Sequence, residues 1–362
     1  MNLEWISILK CPISGQELSV LQPSEIIALN EDSMNNRLWQ IDGKKIDYTI
    51  ELGLITSDHT YIYPIINGIV LLLKDLALTG SINHIISEKI DKDKELVQNF
   101  YNQKGWFVNE EGNYEDAVIY EDLREVSKEY LQKCHDRVSR FLNPTGTYML
   151  DAASGALQYS DYLQYSSNYK YRVCVDFSFQ ALSEAKKKLG DKGIYILADM
   201  CNMPFKDHVM DGFISLNTIY HIPKDQQVLA IQELFRLLAK GGKGVVVYDW
   251  YKHSPWMNIC LLPFRAFVYI KNRLLSAIAK VAGQKEPQKR LYFFAHNYTY
   301  FKQNLPPFKL AVWRSLSVPF MRYYIHPSLF GKQILTWVYN KEEKEPELCG
   351  LKGEYPMFIF EK

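Results

Sequence analysis

The sequence has no long apolar run free of charge. Its most apolar neighbourhood, residues 259–282, is interrupted by Arg265, Lys271 and Arg273, so no membrane-spanning helix is expected. It also lacks an excess of one charge: 42 Lys and Arg against 41 Asp and Glu leave a formal net charge of +1. That balance gives no global pull toward the phosphates of a nucleic acid. Six cysteines, at positions 11, 134, 174, 201, 260 and 349, show no paired spacing, which argues against a disulfide frame and fits reduced thiols in a cytoplasmic protein. The first nine residues include Glu4 and no extended apolar core, so no secretory signal is expected there. What is present is 362 residues, 47% hydrophobic and 23% charged, enough for two or three domains and a sizeable core.

The stretch that organises the chain is 148–158, Tyr-Met-Leu-Asp-Ala-Ala-Ser-Gly-Ala-Leu-Gln. An apolar run ends at Asp151 and gives way to small residues around Ser154 and Gly155, the pattern of a buried strand turning toward a helix over a bound nucleoside. Further strands are predicted at 171–177, 194–198, 212–216 and 244–248. Helices are predicted over 179–189 and 226–239, the second stopped by Gly241-Gly242. Strands alternating with helices of this length predict an α/β fold with a doubly wound parallel sheet. A ligand then sits at the carboxyl ends of the strands, where Asp151, Asp176, Asp199 and Asn217 fall.

At these residues the chain resembles the class I S-adenosylmethionine-dependent methyltransferases. The resemblance implies a Rossmann-like seven-stranded sheet whose last strand, within 353–361, pairs antiparallel. It implies S-adenosyl-L-methionine as cofactor and S-adenosyl-L-homocysteine as product. Asp151, Ala153, Ser154 and Gly155 would form the cofactor loop, Asp176 with Phe177 would meet the ribose, and Asp199 with Met200 the adenine. Residues 217–221, from Asn217 to His221, would face methyl donor and acceptor. The spacing of about 25 residues between Asp151 and Asp176 is close to that by which Rossmann-like sites set a carboxylate on a ribose. Ala153 and Leu157 stand where the family has its first and third glycines, and the alanine is expected to sit there at an ordinary φ.

Residues 8–18 and 61–73 resemble the two ends of the small zinc-ribbon-like domain of the tRNA-methyltransferase activator family. Ser14 stands in place of the second thiol after Cys11, and one thiolate does not hold structural zinc. A metal-free unit is therefore expected over 1–80, stabilised by an apolar strand at 62–73. Residues 81–145 read as a helical lid or linker. Within it, Tyr101 and Trp106 are either the core of an amphipathic capping helix or, by resemblance to methyltransferases with similar segments, aromatic partners of the sulfonium. The cofactor core is expected over 146–250, a mostly helical substrate-capping insertion over 251–345, and the final strand in 346–362. Residues 264–290 of the insertion are basic and amphipathic, a pattern shared by peripheral membrane surfaces and by the solvated face of a lid.

Methyl transfer from a sulfonium requires alignment and, for a hydroxyl acceptor, removal of a proton. His221, His253 and His296 are the candidate bases, with Asp249 as an orienting group, and no carboxylate pattern calls for a metal. The favoured function is methylation, mainly at oxygen, of a small-molecule, glycosylated or lipid-linked acceptor held by the aromatic insertion. An rRNA or tRNA base methyltransferase is the alternative, against which the balanced charge counts because phosphate neutralisation dominates RNA binding. A non-catalytic cofactor-binding or activator protein is the third reading, raised by the depleted glycine loop.

Overall fold

The computed structural model describes residues 3–46, 48–80, 94, 106, 109, 114–282 and 292–362. Among these residues thirteen strands share one sheet. They are β1 Leu18–Val20, β2 Trp39–Gln40, β3 Gly53–Thr56, β4 Ile62–Ile66, β5 Ile69–Leu71, β6 Leu78–Thr79, β7 Gly146–Ala152, β8 Tyr169–Asp176, β9 Gly193–Leu197, β10 Met210–Leu216, β11 Leu238–Val247, β12 Lys309–Arg314 and β13 Tyr355–Glu361. The central order β9-β8-β7-β10-β11 is parallel throughout. This is the 3-2-1-4-5 order of a doubly wound sheet, which reverses between its first and fourth strands. The expected last strand, β13, pairs antiparallel with β11, and β12 closes the edge against β13.

A parallel sheet covered on both faces needs strands that are apolar on both sides, and alternate residues here part to opposite faces. Leu150, Phe213 and Val246 pack with Ile231 and Leu234 of the helix Gln227–Leu237. Their neighbours Met149, Ile214 and Val245 pack instead with Tyr130 and Leu131 of the helix Glu125–Ser139 and Leu335 of Gly331–Lys344. The helix Glu125–Ser139, within the stretch read as lid or linker, is thus a layer of the core. Polar ties fix it there: Tyr130 donates to Glu342 at 2.7 Å, and Arg137 reaches Glu342 at 3.1 Å and Glu343 at 2.9 Å.

Two expected boundaries are corrected. Gly241-Gly242 does not stop the helix, which ends at Leu237; β11 begins at Leu238 and carries both glycines inside it. They lie where its register against β10 jumps from Leu238 to Lys243, and Gly241 at φ +78° supplies the left-handed backbone that such a bulge uses. The single strand expected at 62–73 is a hairpin, β4 and β5. Asn67 and Gly68 take φ of +51° and +73°, as a two-residue Asn-Gly turn requires.

Through that hairpin the amino-terminal unit joins the sheet. β5 pairs in parallel with β9, and β4, β3 and β1 follow antiparallel. Trp5, Leu9 and Tyr63 share an apolar cluster with Ile196 and Phe205, so the unit read as separate has one sheet and one core in common with the doubly wound half. Cys11 is buried in it, its Sγ 3.0 Å from the Tyr63 hydroxyl and accepting the Ser14 N–H at 3.3 Å.

Candidate active site

A cleft of about 1430 Å³ opens over the carboxyl ends of β7, β8, β9, β10 and β11, at the reversal of strand order where such sheets bind ligands. Asp151, Ala153, Ser154 and Gly155 line it after β7, and Asp176 with Phe177 after β8. Asp199 and Met200 follow β9, Asn217 and His221 follow β10, and Trp106 covers the loop. Tyr101 lies outside the described residues.

The loop after β7 keeps the backbone of a glycine-rich turn with only Gly155 of its glycines. Ala153, Gly155 and Leu157 have φ of +56°, +56° and +50°, so the ordinary φ expected at Ala153 is corrected. An L-residue in this region costs about 1–2 kcal/mol, and packing must hold it there. Leu157 is fully buried against Leu182 and Leu197. Gly155 is required on a second ground, since a Cβ at this position would overlap the Trp106 indole.

The carboxylates at the strand ends are individually engaged. Asp151 Oδ2 accepts from Arg172 Nε at 2.9 Å and Nη2 at 2.5 Å, both side chains buried. Burial pushes the Asp151 carboxyl up and the guanidinium pulls it back. The sequence reading missed Arg172; its signal was the one cation in the expected strand 171–177. Asp176 accepts the N–H of Gly155 and that of Ser178, each at 2.8 Å, and burial raises it to about 6. Asp199 accepts the Cys201 N–H at 2.8 Å and pairs with Lys94 at 2.5 Å. Asn217 is left-handed at φ +59°, and its buried Oδ1 has no partner among the described residues. Carboxylates with accepting positions to spare, plus an unpartnered amide oxygen, suit a ligand that brings ribose hydroxyls, an amino group and a cationic sulfonium.

Of the three candidate bases only His221 lines the cleft. Its Nδ1 is 2.7 Å from the Tyr292 carbonyl; a carbonyl only accepts, so Nδ1 carries the hydrogen and Nε2 keeps its lone pair. Burial lowers its pKa to about 4. His253 and His296 lie outside the cleft, a correction to their grouping with His221. Each spends Nε2 on a backbone carbonyl, His253 on Ala295 at 3.1 Å and His296 on Lys224 at 2.9 Å, and His296 stacks on Tyr300. They tie residues 292–297 to the core.

Beyond the cofactor positions the cleft continues under the insertion. Phe264, which packs on Tyr323, and Tyr251, which packs on Phe293, form its apolar walls. Its polar part holds Asp249, Glu354, Arg314 and Glu121, of which the sequence singled out only Asp249. Arg314 pairs with Glu121 and lies 4.5 Å over the Tyr355 ring. Arg314 Nε and Glu354 Oε2 are buried with no partner among the described residues. Arg265, counted in the sequence among the cations of a surface stretch, also lines this end, whereas Phe267 and Tyr269 two turns into the same helix are exposed. No helix among the described residues is long and apolar enough to cross a membrane.

Residues 150–246 match the family described as methyltransferase domain. Curated relatives include the proteins named "Probable tRNA methyltransferase 9B" of Mus musculus, 28% identical over 136 residues, and of Homo sapiens, 28% identical over 135. Each match covers 36% of this chain, and the chain spans 28% of the relatives' length. Among solved structures, geranyl diphosphate C-methyltransferase from Streptomyces coelicolor A3(2) is 12% identical with a TM-score of 0.41, covering 75% of this chain and 98% of that one. With the family match on β7 to β11 and the strand-end carboxylates in one cleft, the chain carries a class I S-adenosylmethionine-dependent methyltransferase domain.

Proposed function

We propose that the protein transfers the methyl group of S-adenosylmethionine to a hydroxyl of a small molecule with an apolar body. The observation that carries this reading is the size and lining of the cleft. At about 1430 Å³ the whole exceeds the roughly 300–1,000 Å³ usual for one small ligand, leaving room for donor and acceptor together. Its far end offers aromatic walls and unpartnered polar atoms, the lining that a small amphiphilic acceptor needs. In this assignment Asp176 takes the ribose hydroxyls, Asp199 and Met200 flank the adenine, and Asn217 Oδ1 accepts from the amino group of the donor. Bound there, S-adenosylmethionine supplies an electrophilic methyl group. The chain's part is to align it with the acceptor and exclude water. Leu262, Phe267, Tyr269 and Ile270, exposed on the outer surface of the insertion, favour an acceptor presented at a lipid surface.

The printed name of the curated relatives supports a second reading, methylation of tRNA. The net charge of +1 weighs against it, because phosphate contacts dominate RNA affinity. Methyl-labelled S-adenosylmethionine, incubated with the protein and either a deproteinised small-molecule cell extract or bulk tRNA, separates the two. Label in organic-extractable small molecules is the expected result; label in tRNA alone replaces it with the second reading.

A further inference from the structure

We propose that a second exposed apolar element, residues 323–337, docks together with the helix Leu262–Ala282 on an anionic lipid surface, so that the cleft opens onto the bilayer. This rests on and deepens the reading above, which set only that one helix at a lipid surface. The new element runs from the helix Val318–Tyr324 through the turn Pro327–Leu329 into the helix Gly331–Lys344. Tyr323, Leu329, Phe330, Ile334 and Trp337 are exposed along it, Phe330 at 72% and Trp337 at 65%. Ile334 and Trp337, three residues apart, share one stripe of the last helix, while Leu335 and Val338 are buried in the core with Tyr130 and Leu131. The stripe therefore faces away from the core. The two elements are joined to each other: the rings of Tyr323 and Phe264 pack at 5.0 Å, and the Tyr324 hydroxyl donates to the Cys260 carbonyl at 2.9 Å.

Phe330 is unfavourable on two counts unless something covers it. Its φ of +56° is a left-handed backbone that a bulky side chain rarely adopts, and such a backbone persists where its surroundings or a function hold it. The turn is held from the inside: the Gly331 N–H donates to the His326 carbonyl at 3.0 Å, and a Cβ on Gly331 would overlap that carbonyl. The ring itself is left with little burial within the chain. Charge selects what covers it. Residues 250–285 contain six Lys and Arg and residues 315–341 contain three, with no Asp or Glu in either stretch, so the balanced total conceals an acid-free face. Lys271, Arg273, Arg322 and Lys332 are exposed on it. Aromatic and aliphatic side chains beside such cations are the composition of a helix lying at an anionic headgroup boundary. RNA fits less well, because phosphate neutralisation needs cations and exposed apolar side chains outnumber them here among the described residues. Tyr323 also lines the cleft, as do the exposed Ile119, Tyr120 and Tyr251. Apolar side chains thus rim the mouth, and an acceptor with an apolar body passes from bilayer to cleft without crossing water.

Co-sedimentation of the full chain with vesicles of phosphatidylcholine, with and without phosphatidylglycerol, tests the surface. Wild type should bind the anionic vesicles and leave them as salt is raised, because the screening length falls from about 8 Å at physiological salt to about 3 Å at 1 M. Phe330→Gly combined with Trp337→Gln should weaken that binding on the order of tenfold or more, since two large apolar side chains no longer leave water. Glycine suits the left-handed backbone at 330, and the urea midpoint of the double variant checks that the fold is kept. Lys332→Ala should weaken binding about fivefold. A double variant that binds as wild type does overturns the proposal, as does wild type that ignores the anionic vesicles or sediments equally with neutral ones. A dimer in sedimentation velocity that the double variant breaks would assign the face to a second copy, and a gel shift of bulk tRNA lost in that variant would assign it to RNA; either result overturns the lipid surface. Docking needs no methyl donor. Vesicle binding with no label in any extract would leave this surface standing and remove the methyl-transfer reading, and label transfer without vesicle binding would do the reverse.

Discussion

The two ends of the cleft hold their carboxylates differently. At the cofactor end each carboxylate is met by a fixed partner before any ligand arrives: Asp151 by Arg172, Asp176 by the amides of Gly155 and Ser178, Asp199 by Lys94 and the amide of Cys201. At the acceptor end Glu354 Oε2 and Arg314 Nε are left buried and unpartnered among the described residues. The first arrangement preorganises a site for one constant ligand, which keeps the reorganisation cost of binding low. On the function proposed above, the second leaves polar atoms whose satisfaction depends on the acceptor, so that a molecule lacking the matching group would be rejected.

The sharpest way to break the cofactor end is to remove Arg172. Arg172→Ala leaves Asp151 buried without its partner, and breaking a buried pair costs about 3–5 kcal/mol. Urea unfolding should show this loss, and Asp151→Asn added to it should recover part. A loss under about 1 kcal/mol would mean that water reaches the pair. Asp176 comes next in size. Asp176→Ala should weaken S-adenosylhomocysteine binding by about 1.5–3 kcal/mol, the range for hydrogen bonds to a charged group. Because burial raises its carboxyl to about 6, the accepting carboxylate is complete above that pH and lost below it. Wild-type affinity should hold steady above about pH 6 and fall as pH drops through it, and the alanine variant should lack that fall. Calorimetry showing one pH profile for both proteins would remove the ribose assignment.

The outer lip of the acceptor end carries a smaller effect. If the exposed Leu262, Phe267 and Tyr269 rest at an anionic headgroup boundary, the exposed Lys271 on the same helix contributes about 1 kcal/mol to that contact. Lys271→Ala should reduce co-sedimentation with anionic vesicles about fivefold and leave neutral vesicles unaffected. Equal binding to both kinds of vesicle by wild type argues for a solvated lid.

The same contrast explains what the sequence disclosed. The placement of Asp151, Asp176, Asp199 and Asn217 in one cleft was legible because they follow four strands in one continuous stretch, so that periodicity locates the strand ends. The acceptor end was not, because Glu121, Arg314 and Glu354 are brought together from positions far apart, through the pairing of β12 and β13 and the short helix before Glu121. A lone acid or cation among apolar residues reads locally as noise. His253 and His296 misled for a related reason, since nothing local reveals that a ring nitrogen will meet a carbonyl some 42 or 72 residues away. One miss was avoidable: Asn67-Gly68 between two apolar runs is a strong hairpin signal, and that hairpin welds the amino-terminal unit to the sheet.

The smallest effect is the most direct probe of the cofactor loop. Ala153 and Leu157 hold nearly the same left-handed φ, +56° and +50°, so glycine relieves the same strain of about 1–2 kcal/mol at either position. Glycine also enlarges the conformational freedom of the unfolded chain, which takes back about 0.4–1 kcal/mol. At Ala153, half-buried with a single methyl to lose, relief should win, and Ala153→Gly should raise stability by about 0.5 kcal/mol. At Leu157, which is 1% exposed, glycine forfeits a buried side chain worth about 1.5–3 kcal/mol, and Leu157→Gly should lower stability despite the identical backbone gain. Urea midpoints at unchanged slope read both. Opposite signs would show that the loop keeps the glycine conformation by packing Leu157 while Ala153 bears the strain; a destabilised Ala153→Gly would show that the backbone there rests easily with a side chain in place.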